Sequence, residues 1–310
     1  MLFRSSDATE LAGLCDRVVV MSRGQAVAEL VGEDVTEEQI VSHAVTSTAT
    51  VVEEAARTRA RAPRWRRLVE GDHAPTLLLL AVMVALAAVI TPGNDRYLSS
   101  FNIYTVLTAA TATGFIALGQ TVALLMRGID LSVGPLAGFL VVVASFYAGD
   151  GAGTGDLLTG LGLMLLAAVL TGLVNATLIR AGRFTAIAAT LTTYIALGGL
   201  AFLLRPTQGG FISLDLQNRI NYVYGAIPAV FLLLLGLAVL LEYGLRRRHW
   251  GWRLRAVGSD EDAARRLGVP VTRTVVLGYV LASLLTLLGA VVLMGQYGVG
   301  DPSQIGRAHV

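Results

Sequence analysis

Lysine is absent from this 310-residue chain, and all 24 of its basic residues are arginine. The absence removes the lysine of a P-loop, and with it a complete Walker A site. It also removes Schiff-base chemistry at a lysine amine. Cysteine is nearly absent too, and the single Cys15 can form no internal disulfide and says little about compartment. The four histidines, His43, His73, His249 and His309, are too scattered to suggest a metal site, where close ligand pairs are expected. Charge of either sign is scarce: 15% of residues are charged and 54% are hydrophobic. A soluble domain carries about 25% charged residues. The composition is that of a polytopic membrane protein.

What is present are long apolar runs. A helix crosses a bilayer with roughly 17–25 predominantly apolar residues. Runs of this kind predict spans at Pro75–Thr91, Ile103–Met126, Val133–Ala148, Leu157–Ile179, Phe184–Leu204, Ala226–Tyr243 and Val275–Met294. The third is short. Pro75 is tolerated at a helix start, where its missing N–H has no helical partner anyway. No signal-peptide pattern precedes the first span. The fold class expected is therefore an all-α polytopic membrane protein with about seven transmembrane helices and a small α/β N-terminal fragment.

Arginine counts set the orientation. With the N-terminus in the cytoplasm, the inner segments hold 17 arginines: Arg57–Arg67, Arg127, Arg180, Arg183 and the run from Arg246 to Arg273. The outer loops hold three, Arg96, Arg205 and Arg219. The positive-inside rule selects this orientation.

The first 50 residues are of another kind. Arg17–Ser22 and Gln25–Leu30 predict two strands joined at Arg23–Gly24, Ser6–Leu14 predicts a helix, and Thr36-Glu-Glu-Gln39 starts another through about Val45. A lone hairpin is marginal in water, so this piece belongs with a larger sheet or packs on a partner. Residues 51–70 form an arginine-rich linker, which is either a retention signal for the cytoplasmic side or a contact to anionic headgroups.

Two polar stretches interrupt the apolar runs. Ser259–Gly268 predicts a short cytoplasmic helix: Ser259 is a suitable N-cap, with Asp262 at the capping-box position. Asp260 and Glu261 load its first turn and Arg265 and Arg266 its last, as the macrodipole favours. Gly268 suits a left-handed stop, and Ala263 and Ala264 are small enough for the helix to sit close in a groove. It is a solvated loop helix or a contact for a cytoplasmic partner. The second stretch is Arg127–Gly134, where Gly128 and Gly134 flank Asp130 and Ser132. It is a cytoplasmic turn in which Asp130 or Ser132 caps the next span, or a broken helix inside the bundle with Arg127 as partner to Asp130. Asn175, Thr190, Thr192 and Thr193 are polar groups within spans, able to bond helix to helix or to meet a substrate hydroxyl. Gly160, Gly162, Gly172 and Gly198–Gly199 suggest close helix approach. Tyr222, Tyr224, Trp250 and Trp252 near span ends suggest interface anchors.

Residues Ser5-Ser6, Glu10–Val18, Val20–Gly24 and Thr36-Glu-Glu resemble the C-terminal end of the ATP-binding subunit of ribose-type sugar ABC importers. Gly128-Ile-Asp-Leu-Ser-Val-Gly134, Gly172-Leu-Val-Asn175, Phe184–Leu191 and Ala256–Val269 resemble the permease subunit of the same systems, within the branched-chain amino acid/ribose permease superfamily. The resemblance implies an ATPase fragment over residues 1–50, a linker over 51–70 and an incomplete permease bundle over 71–304, since family permeases continue for several more spans; residues 305–310 do not continue the family pattern and are expected to be a non-native tail. It implies a permease component that is not an enzyme and binds no cofactor or metal, ATP and Mg being held by a partner ATPase. The further partners implied are an external sugar-binding protein, a second permease copy and the bilayer of the bacterial inner membrane, with no nucleic acid. In that reading Ser259, Asp260, Glu261, Asp262, Ala263, Ala264, Arg265 and Gly268 make the ATPase contact, and Gly128, Asp130, Ser132, Gly134, Asn175, Thr190 and Thr192 are candidates for the pathway. The alternatives are a secondary transporter of a small polar solute, for which only Asp130 and Glu242 are candidate ion-coupling groups, an ABC permease for another solute, and a membrane-anchored interaction protein.

Overall fold

The computed structural model describes residues 8–22, 25–43, 74–94 and 96–302. The chain divides into two units, Met1–Gly93 and Asn94–Val310.

In the first unit, helix α1 (Ala8–Leu14) precedes an antiparallel hairpin of β1 (Arg17–Ser22) and β2 (Gln25–Val31). The register runs from Arg17 opposite Val31 to Ser22 opposite Gln25, with an irregularity between Val20 and Met21. Strand side chains alternate between faces. Val18, Val20 and Leu30 therefore join Val35 and Ile40 in a small core, while Val19 and Met21 stay exposed. A helical run at 37–43 starts where the Gln39 N–H donates to Thr36 Oγ1. Both expected strands are found. The Arg23–Gly24 turn, Ser6 and the linker lie outside the described residues. The unit also contains α2 (Ala74–Ile90), 17 residues of almost uniform apolarity over the first expected span.

The second unit is a helical bundle of α3 (Ser100–Leu125), α4 (Val133–Ala144), α5 (Thr154–Arg180), α6 (Ala186–Leu204), α8 (Ala229–Arg247) and α11 (Val271–Tyr297). At one end, α9 (His249–Ser259) and α10 (Glu261–Arg266) join α8 to α11. At the other, β3 (Gly209–Phe211), α7 (Leu214–Ile220), β4 (Val223–Tyr224) and β5 (Ile227–Pro228) join α6 to α8, and β6 (Val299–Gly300) follows α11. Among the described residues six helices, α2 included, are long and apolar enough to cross a membrane. A helix apolar all round is a buried one, and α11 is the centre of the bundle, packed on α3, α5 and α4. Its approach to α5 needs Gly172, where a Cβ would lie 2.6 Å from the Val280 Cα. At Gly162, Gly198 and Gly199 a Cβ would meet nothing within 4 Å, so these glycines serve no close approach among the described residues. The outer faces of α5 and α6 carry exposed leucine and isoleucine, such as Leu158, Leu165, Ile195 and Leu203, as helices facing lipid do.

The third expected span differs from the prediction. Helix α4 has 12 residues, about 18 Å at 1.5 Å per residue, against a hydrocarbon core of about 30 Å. The link before it turns back into the bundle, where it meets Gln120 and Thr190.

Candidate functional site

Helix α3 ends at Leu125, and the Gly128 N–H bonds back to the Ala123 carbonyl at 3.0 Å. Arg127 adopts a left-handed φ of 57° to make this turn. The chain then re-enters the bundle. Gln120, about a turn and a half before the end of α3, brackets the Asp130 backbone. In the amide orientation that satisfies both bonds, it donates to the Asp130 carbonyl at 3.0 Å and accepts from the Asp130 N–H at 3.3 Å. Gly128 passes directly beneath the Tyr279 hydroxyl, with no room for a Cβ.

Asp130 Oδ1 accepts the Ser132 N–H at 2.9 Å and the Ser132 hydroxyl at 2.6 Å. Ser132 Oγ in turn accepts from Asn175 Nδ2 at 2.8 Å, and Asn175 Oδ1 accepts the Thr193 hydroxyl at 2.6 Å. Thr190 Oγ1 accepts the Leu131 N–H at 3.1 Å and donates to the Ala186 carbonyl at 2.9 Å. Asp130, Ser132, Asn175 and Thr190 are each 2% exposed or less. One polar chain thus ties the link to α5 and α6, while Gln120 ties it to α3. Irregular backbone at membrane depth survives only where protein supplies its partners, and these side chains supply them. Asp130 Oδ2, Tyr279 Oη and Ser283 Oγ are buried without a partner among the described residues.

Two expectations for this stretch are corrected. Ser132 holds the N-cap position of α4, but neither it nor Asp130 caps the helix with its side chain, because both are spent on the buried network. Arg127 is not the partner of Asp130: among the described residues no ion pair joins them, and Arg127 is exposed while Asp130 is buried. Of the pathway candidates, Gly128, Asp130, Ser132, Asn175 and Thr190 come together. Gly134 lies in the first turn of α4 outside the hydrogen-bonded chain. Thr192 is exposed and bonds its own helix at the Ala188 carbonyl, and its neighbour Thr193 makes the link to Asn175. Gln120 and Tyr279 were not anticipated. Gln120 carried a signal, as the only side-chain amide in its apolar run.

The arginine-rich end holds the second site. The polar stretch is two helices, and Ser259 is the last residue of α9 rather than a cap. Asp260 is the N-cap of α10, its Oδ1 accepting the Ala263 N–H at 2.9 Å. The capping-box role expected for Asp262 therefore lapses, and Asp262 is an exposed first-turn residue. The break falls at Asp260 because α9 continues to bury Leu254, Val257 and Gly258 against the bundle, with Gly258 lying on the Leu125 carbonyl. Gly268 ends the unit with φ +81°, as expected. Glu261 is engaged within the chain, accepting from Arg180 and Arg265 at 2.8 Å each. Ala264 is buried and Ala263 exposed, so Ala264 seats α10 on its own bundle. The outward tip carries Asp262, Ala263, Arg266 and Leu267, and Leu267 is 84% exposed.

At the opposite end the segment after α6 is an ordered cap. Arg205 donates from Nε to Ser145 Oγ at 2.7 Å and lies 4.1 Å from the centre of the Phe146 ring. Strand β3 pairs with β6, the Ser213 N–H bonds the Ala148 carbonyl at 2.8 Å, and Asn221 Nδ2 bonds the Gly295 carbonyl at 2.6 Å. Phe211, Leu214, Tyr222 and Tyr224 face outward. Glu242, the other candidate for ion coupling, pairs with Arg246 at the exposed end of α8.

A family model described as "Branched-chain amino acid transport system / permease component" matches residues 102–308. The chain is 27% identical over 245 residues to the fructose import permease protein FrcC of Rhizobium meliloti, covering 74% of this chain and 65% of that protein. It is 28% identical over 248 residues to the L-arabinose ABC transporter permease protein AraH of Azospirillum brasilense, covering 79% and 70%. It is 28% identical over 227 residues to the ribose import permease protein RbsC of Bacillus subtilis, covering 72% and 69%. No solved structure matches the chain.

Proposed function

The chain belongs to the family of branched-chain amino acid transport system permease components, and from that premise we propose that it lines the pathway by which an ATP-binding cassette importer admits a monosaccharide. The observation that carries the substrate class is that several of the relatives are named for monosaccharides, fructose, L-arabinose and ribose. The bundle is a transporter component: it shuttles between inward and outward states, and ATP binding on a motor subunit shifts the population. The polar chain from Asp130 to Thr193 holds the re-entrant link that shapes one end of that pathway.

The motor contact is assigned to the tip of α10, where Leu267, Ala263 and Arg266 face outward and the rest of the helix is held by Ala264 and Glu261. That departs from a role for Glu261 or Ala264 at the partner surface. Residues 1–50 fit the end of an ATPase domain, since a two-stranded hairpin with exposed Val19 and Met21 needs a larger sheet to cover it. The outer cap, with its exposed aromatics, suits an external binding protein. A second copy would complete the pathway. ATP and Mg belong to the motor.

Orientation follows from charge. The links 126–132, 181–185 and 248–270 occur at the same end of alternating helices, and together with the helix ends that flank them they hold most of the bundle's arginines. The positive-inside rule makes that end cytoplasmic.

The test is uptake of radiolabelled ribose, fructose and L-arabinose by cells lacking their own importers and supplied with this chain, its ATPase and its binding protein. Saturable uptake of one sugar that disappears when the ATPase loses its Walker lysine is expected. Uptake that persists without the ATPase would instead favour a secondary transporter, and uptake of none of the three would refute the substrate class.

A further inference from the structure

At the arginine-rich end a cleft of about 810 Å³ opens between the end of α5, α10 and the first two turns of α11. Its volume falls in the range of small-molecule sites, roughly 300–1,000 Å³. Three of its lining residues are Arg180, Arg265 and Arg273, and most of the others are apolar, including Pro270, Val276 and Leu277. One carboxylate offsets the arginines: Glu261, held by Arg180 and Arg265. Asp260, the N-cap of α10, and Asp262 in its first turn do not line the cleft. Among the described residues Arg273 has no ion pair, so about two positive charges remain uncompensated.

Arg180 forms the inner wall of the cleft, where its Nη1 donates to Glu261 at 2.8 Å while its Nε is buried and has no hydrogen-bond partner among the described residues. A guanidinium presents its donors as a fixed fork suited to phosphate. The start of α11 faces the same space, and Pro270 at its N-cap offers no side-chain bond to the first-turn N–H groups, which favour an anion there.

The apolar wall identifies the source of that anion. Val276 and Leu277 lie in the second turn of a membrane-crossing helix, and Leu277 is 58% exposed. A soluble phosphate would use only the arginines, whereas a phospholipid uses both surfaces. We propose that this cleft binds the phosphate of an anionic phospholipid from the leaflet at the arginine-rich end, with an acyl chain along Val276 and Leu277. The phosphate shares Arg180 and Arg265 with Glu261, so the seating of α10 depends on the lipid composition of that leaflet.

The experiment is thermal unfolding of the full chain in neutral detergent micelles, titrated with phosphatidylglycerol or with phosphatidylcholine of the same acyl chains. Phosphatidylglycerol is expected to raise the midpoint by several degrees more than phosphatidylcholine. Arg273→Gln and Arg265→Gln, both at exposed side chains, should each cut that difference by half or more. Arg247→Gln, an exposed arginine of α8 at the same end, should leave it intact. Equal stabilisation by the two lipids would overturn the proposal, as would full retention in both cleft variants or an equal loss in Arg247→Gln. Inorganic phosphate reproducing the whole effect would show a soluble oxyanion site and would equally refute the lipid assignment.

Discussion

Replacing Asn175 by alanine removes the middle of the buried polar chain, and the geometry says what that should cost. Asn175 is 0% exposed and bridges Ser132 Oγ at 2.8 Å and Thr193 Oγ1 at 2.6 Å. Neither neighbour is left without a partner. Ser132 keeps Asp130 Oδ1, and Thr193 can fall back on the Ala189 carbonyl at 3.2 Å. The loss is then two bonds of about 0.5–1.5 kcal/mol each plus a small cavity, so roughly 1–4 kcal/mol in all. Thr193→Val should cost about 1–2 kcal/mol, since it strands the amide oxygen of Asn175. The double variant should fall short of the sum by about 0.6–1.7 kcal/mol, the range of interhelical hydrogen bonds in membranes. Asn175→Asp should be worse than Asn175→Ala, because it deletes the donor to Ser132 and adds a carboxylate to the network that holds Asp130. Reversible unfolding in mixed micelles measures all four. Additivity within about 0.3 kcal/mol, the margin for independent sites, would refute the reading of these residues as one network.

Gly128→Ala should destabilise by about 1–3 kcal/mol, as overpacking does, and Tyr279→Phe should recover part of that by withdrawing the hydroxyl the new methyl meets; equal losses in both backgrounds would sink the contact. Leu267→Asp, at an exposed tip, should leave the unfolding midpoint unchanged while lowering ATP-driven uptake at least tenfold, and unchanged uptake would remove α10 from the motor contact. Glu261→Gln leaves the half-buried Arg180 unpaired and should cost about 1–2 kcal/mol, whereas Glu242→Gln, in an exposed pair, should cost less than about 0.5 kcal/mol; the ranking is read from the same unfolding curves.

Much of the architecture was legible along the chain because a bilayer imposes length and apolarity one helix at a time. Pro75–Thr91, Leu157–Ile179 and Phe184–Leu204 each announced a span that folds with ends within a few residues of those expected. Alternation in Arg17–Ser22 announced a strand for a similar local reason. The site was legible only as a set of residue types. Asp130, Ser132 and Asn175 stood out as polar groups among apolar ones, but Thr192 and Thr193 could not be told apart without the rotation of α6 against α5. Arg127 looked like the partner of Asp130 because it is close in sequence. Ser259 looked like a cap because the burial that prolongs α9 through Gly258 comes from Leu125 and Met126, more than a hundred residues earlier.

Composition, run length and the distribution of arginine thus determined the class, the positions of the apolar runs and which links carry the positive charge, since each depends on transfer between water and lipid and is summed over local segments. Tertiary structure alone decided that α4 is half a span, that the link before it folds inward, and that Glu261 and Ala264 turn toward the chain while Leu267 turns away. Those outcomes depend on which distant groups can satisfy a buried donor or carboxylate, and on which helix faces meet, and such pairings exist only once the bundle has closed.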